Sequence, residues 1–130
     1  MRTTVGTDFA AAQLAGAASA TAVAKWMALT ANATAPAAGD TTLTAEIATA
    51  SGGLVRAVAT YAHTGGTNTY TLSNTFTANA NDTLPVTVAK IGVFTATSSG
   101  TLVFETLLSA TATLTASGDQ VTVTQTVTLT

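Results

Sequence analysis

The chain contains no cysteine, which excludes disulfide staples, thiolate nucleophiles and cysteine-type zinc sites together, and leaves the redox compartment open. It is almost as poor in charge. Charged residues make up 8% of its 130 positions, against about 25% in an average soluble domain. The four basic residues, Arg2, Lys25, Arg56 and Lys90, are scattered and form no stripe that could track a phosphate backbone, so direct nucleic-acid binding is not expected. Long hydrophobic runs are missing too. Ala and Val are spread along the chain without eighteen consecutive apolar residues anywhere, so no membrane span is expected.

These shortages bear on assembly. A free monomer normally keeps clear of its neighbours with mixed surface charge, so a chain this neutral suits a protein whose faces are covered by other subunits. The alternative is a small, Thr-coated soluble domain. The length fits a single domain with one core.

Residues 9–24, FAAAQLAGAASATAVA, follow Arg2 and carry small-residue patterns of the kind a signal peptidase cuts. Asp8 and Gln13 interrupt the run, and Ala is a weak substitute for a Leu-rich signal centre, so the segment is expected in the mature protein. Residues 1–20 read as an N-terminal arm and residues 21–130 as the folded domain. Within the arm, Phe9 to Leu14 suits a short helix capped by Thr7 or Asp8 and ended by Gly16. Its Ala and Gly runs permit extended chain as well.

From Thr21 onward the texture is that of strands. TAVAKWMALT reads as the first, followed by an irregular loop, ANATAPAAGD. TTLTAEI (41–47) has the spacing of a capped turn, with Thr42 ahead of Glu46. LVRAVATYAHT reads as one strand, and HTGGTN then joins it to TYTLSNTFT in a hairpin. In that second strand Tyr70, Leu72, Asn74 and Phe76 point one way, and Thr69, Thr71, Ser73, Thr75 and Thr77 the other. After the turn NANDT, the strand VTVAKIGVF contains Gly92 as a candidate bulge. SSG leads into TLVFETLL, and ASGDQ into the closing strand, where Val121, Val123, Val127 and Leu129 oppose Thr122, Thr124, Thr126, Thr128 and Thr130. About seven short strands between turn signals predict an all-β fold, a single antiparallel β-sandwich or small barrel.

The closing strand is unusual in what faces outward. Exposed sheets usually scatter Lys and Glu to blunt edge pairing, and here there is only Thr, which pairs across a ladder without the desolvation cost of a buried charge. Thr122, Thr124, Thr126 and Thr128 are therefore candidate interface residues. Trp26, Tyr61 and Tyr70 join them, because Trp and Tyr dominate interface energetics, whereas Phe76, Phe94 and Phe104 read as core.

No catalytic, cofactor-binding or metal-binding constellation emerges. The sole histidine, His63, sits beside the hairpin loop without a nucleophile and carboxylate arranged around it, and reads as a solvated loop residue. Asp40, Asp82 and Asp119 stand in turns, where Asp bonds nearby backbone. No run of acids has the spacing of a calcium loop. Glu105 lies inside an apolar strand and is expected to pair with Lys90 or Arg56 across the sheet.

Several of these stretches carry a likeness. WMALTANATAPAAGDTTLTAEI, RAVATYAHTGGTNTYTLSNTFTAN, VTVAKIGVFTA, LVFETLL and GDQVTVTQTVTLT resemble small structural proteins of tailed bacteriophages. In those proteins an LT…TAPAA-type segment precedes a β-sandwich that closes on a GD…TVTL strand. The likeness spans residues 26–130, and its motifs are turns and strand patterns with no active-site signature. It implies a virion protein without enzymatic activity or cofactor, assembled through contacts with the major capsid protein and with copies of itself. The two positions it implies are the outer surface of the head, as decoration or cement, and the tail or its fibres, for host attachment. The short chain has no collagen-like, coiled-coil or β-helical shaft, which favours the head.

Overall fold

The computed structural model describes Met1, residues 3–6 and residues 23–130. The expected helix at Phe9 to Leu14 lies outside the described residues. Among these residues seven strands follow in order: β1 (Trp26–Thr30), β2 (Ala57–Val58), β3 (Thr60–His63), β4 (Thr69–Thr77), β5 (Val86–Phe94), β6 (Leu102–Leu114) and β7 (Gln120–Thr128). They form two antiparallel sheets, one ordered β2-β1-β5-β6 and the other β3-β4-β7. The fold is a β-sandwich, with no closed barrel.

Alternation works as expected in the second sheet. Leu72, Phe76, Val121, Val123 and Val127 are buried, with Tyr70 half-buried beside them. Leu72, Phe76, Val121 and Val123, with Tyr70 packed against them, meet Met27, Leu29, Val88, Ile91, Val93 and Leu114 of the first sheet in the main core. Burial of apolar surface between the two layers is the principal stabilising term.

The centre of the first sheet does not alternate, because both of its faces are covered there. Every residue of β5 from Val88 to Phe94 is buried. Ala28, Leu43, Phe94 and Leu102 form a second cluster, with Trp26 packed against it. Gly92, expected as a bulge, is paired in register with Ala28 on one side and Glu105 on the other. What it supplies is space: a Cβ there would lie 3.0 Å from Leu102 Cδ1 and 3.3 Å from Leu43 Cδ2. The register shifts fall elsewhere, between Val88 and Lys90 and between Val93 and Phe94. At the first, Ala89 alone faces residues 108–111 of β6.

LVRAVATYAHT is also two strands and not the single one expected. Ala57 and Val58 pair with β1, while Thr60–His63 pair with β4 in the other sheet. The chain crosses between layers at Ala59, which is buried and donates its N–H to the Lys25 carbonyl at 2.7 Å. TTLTAEI makes a turn, with Ala45 at φ 55°, but Thr42 and Glu46 do not cap it. Thr30 Oγ1 donates to the Thr44 and Ala45 carbonyls at 2.8 and 3.0 Å, and the Glu46 carboxylate turns to Arg56.

Four strands stand at sheet edges. β2 has two residues and β3 has four. The start of β6 is covered by the first residues of the chain: Met1 and Glu105 exchange backbone bonds of 2.8 and 3.0 Å, and Thr3 donates to the Val103 carbonyl at 3.3 Å. β7 is nine residues long and, among the described residues, pairs only with β4.

Candidate functional site

The open edge of β7 can be resolved group by group. The β4–β7 register pairs Phe76 with Val121 and Leu72 with Gln125. Beyond its ends, Ala78 N–H donates to the Asp119 carbonyl at 2.8 Å and Leu129 N–H to the Asn68 carbonyl at 2.7 Å. Hydrogen-bonded and non-bonded pairs alternate along an antiparallel ladder. The odd-numbered residues of β7 therefore direct their backbone groups to β4, and Thr122, Thr124, Thr126 and Thr128 direct theirs to the open edge. Their side chains are exposed on the outer face of the sheet.

Close hydroxyl contacts agree with this assignment, since side chains approach most nearly in non-bonded pairs. Thr122 Oγ1 lies 2.8 Å from Thr75 Oγ1, and Thr124 Oγ1 lies 3.5 Å from Ser73 Oγ. Among the described residues, the one polar side chain touching the outward backbone is Gln125, whose amide donates to the Thr126 carbonyl at 3.0 Å. Neither charge nor proline nor bulge protects this edge, and these are the usual means of blocking strand addition. Four of the seven expected interface residues thus lie together on one edge and face.

The aromatic candidates are divided. Tyr61, 61% exposed on β3, packs against Tyr70 on β4 with ring centroids 5.6 Å apart and the rings tilted by 42°. Tyr70 is half-buried against the main core. Trp26 belongs to the first sheet, half-buried over the second cluster, and does not join Tyr61. Gln125 was not among the sequence candidates. Its signal was present, as the one polar residue among the inward positions of the closing strand.

Charge sits elsewhere. Lys90 Nζ meets Glu105 Oε1 at 2.5 Å with both side chains buried, and also donates to the Thr34 carbonyl at 3.1 Å. Glu105 Oε2 accepts no hydrogen bond from a fixed donor. Burial pushes the Glu105 carboxyl above its ordinary value; Lys90 opposes this and the Asp40 carboxyl reinforces it. Asp40 is held low, chiefly by the Ala37 N–H that donates to its carboxylate at 2.8 Å. Arg56 takes the other acid, forming a two-pronged pair with Glu46 at 2.9 and 2.7 Å while its guanidinium lies 3.6 Å over the Phe94 ring. Of the two partners expected for Glu105, the structure selects Lys90.

Asp82 and Asp119 hold turns. Asp82 accepts from the N–H groups of Gly53, Leu54 and Asn79 at 2.8–3.3 Å. The Thr115 and Ala116 N–H groups hold Asp119 below the usual carboxylate range. His63 ends β3, exposed, with Nδ1 2.8 Å from the Thr69 carbonyl. Among the described residues no group of three or more His, Asp or Glu could hold a metal. No helix among them is long and apolar enough to cross a membrane.

No protein-family model matches the chain, and no curated protein matches it.

Proposed function

We propose that the protein is a structural component of a tailed-bacteriophage virion, and that it decorates or cements the outer surface of the head. The observation that carries this reading is the nine-residue β7 edge, uncharged and faced with Thr, on a chain with little charge anywhere. The segmental likeness over residues 26–130 supplies the virion context. In this role the sandwich binds the major capsid lattice and other copies of itself and reinforces the shell against the pressure of packaged DNA. It needs no cofactor and does no catalysis. Gold-labelled antibody on intact particles of the source virus tests the reading. Label spread over the head is expected, and particles without any label would overturn it.

One observation favours the alternative of a tail module for host attachment. The exposed Tyr61 ring, packed on Tyr70 beside the HTGGTN loop, is the kind of aromatic surface that contacts a receptor or glycan. Label confined to the tail, together with binding of the purified protein to host envelope material, would select it.

A further inference from the structure

We propose that β7 pairs antiparallel with β7 of a second copy, on a two-fold axis that passes beside Gln125, to make one continuous six-stranded sheet from two three-stranded ones. The inference rests on the edge geometry alone and stands whether or not the protein belongs to a virion.

The occupant follows from the strand itself. Around Gln125 the sequence is nearly symmetric: Thr124 and Thr126 flank it, then Val123 and Val127, Thr122 and Thr128, Val121 and Leu129. A two-fold contact brings residue i against j and j against i. Centred at Gln125, it sets Thr124 against Thr126 of the second copy and Thr122 against Thr128, all four with backbone groups turned outward; the Gln125 amide, which holds the Thr126 carbonyl in the single subunit, releases it when that pair forms. The odd-numbered residues become the non-bonded pairs, Gln125 against Gln125 and Val121 against Leu129.

Two features of the single subunit agree with this register. Leu129 is held in place by its 2.7 Å bond to Asn68, yet is 58% exposed; the second copy's Val121 would cover it. The outer Thr face of this sheet already makes a cross-strand hydroxyl pair, at 2.8 Å for Thr75–Thr122, and Thr124 and Thr126 would continue that face across the axis. The other edges suit pairing less well: β2 and β3 are two and four residues long, and β6 is covered at its start by Met1 and Thr3 and interrupted further on by the register shift opposite Val88 and Lys90. Main-chain pairing of this kind supplies affinity, and the side-chain match sets the register.

The absence of cysteine makes the register directly readable. A non-bonded antiparallel pair brings Cα atoms to about 4.5 Å, inside the range of about 4.4–6.8 Å that a disulfide spans. Gln125→Cys should therefore give a covalent dimer under mild oxidation. Thr122→Cys alone should not, but mixed with Thr128→Cys it should. The unmodified protein should sediment at twice the chain mass. Thr124→Lys/Thr126→Lys, which sets like charges against each other at the axis, should halve that mass, and Thr75→Lys, one strand further in on the same face, should not. Circular dichroism reports whether each variant is folded. A folded wild-type monomer at micromolar concentration would overturn the proposal, as would failure of Gln125→Cys to cross-link. Self-cross-linking of Thr122→Cys would overturn the register.

Discussion

The centre of the first sheet and the edge of the second handle polarity in opposite ways. On β5 and β6 two of the chain's few charged residues, Lys90 and Glu105, lie fully inside and neutralise each other. On β7, where a charge would cost nothing in desolvation, there is none. A buried ion pair is weak evidence for stability, since desolvation offsets much of its attraction, and an uncharged long edge invites another strand. The contrast teaches that the shortage of charge is not uniform dilution. It is a property of the strands' exposed surface: β1 to β4 and β7 hold no Lys, Arg, Asp or Glu, and the two charges on β5 and β6 are buried.

The sharpest way to break the comparison is to unbalance its buried half. Lys90→Met leaves Glu105 unpaired in the interior and should cost about 3–5 kcal/mol of stability, whereas Lys90→Met/Glu105→Leu should recover most of that loss. Urea unfolding of the two variants measures the difference; equal losses would show that the pair is not coupled. Next in size is Gly92→Val, which pushes atoms into Leu102, Phe94 and Leu43 and should cost about 1–3 kcal/mol by overpacking. In the outer half, Thr122→Val should change folding stability by only about 0.5 kcal/mol.

The smallest effects are those of pH. Glu105 binds its proton more tightly folded than unfolded, so its contribution is complete below the ordinary value of 4.5 and is lost as pH rises through its higher folded value. Asp119 has the opposite sign. Its contribution is present above 3.8 and is lost as pH falls through its lower folded value. Melting curves against pH should therefore lose part of their acid limb in Asp119→Asn and part of the decline above 4.5 in Glu105→Gln.

Much of the second sheet is legible in the sequence because one of its faces is wet. Period-two alternation in TYTLSNTFT and QVTVTQTVT marks inside from outside, and Gly and Asp mark the turns. The first sheet is harder to read because burial on both faces erases the alternation of β5, and Gly92 is then easily taken for a bulge. Nothing local in RAVATYAH indicates that Ala59 changes sheets. The pairing of Met1 and Thr3 with β6 joins residues about a hundred positions apart, beyond any local pattern. The interface residues divide the same way. The Thr row is visible as a row, but the role of Gln125 depends on which backbone groups face outward, and only the ladder with β4 fixes that.

Amide hydrogen exchange at Thr122, Thr124 and Thr126 in the purified protein tests the central claim most directly. If the β7 edge is an assembly surface, these outward amides should exchange as slowly as the inward amides of Val123 and Gln125, and should lose that protection on dilution. Fast exchange at every concentration, at rates typical of a solvated edge, would contradict it.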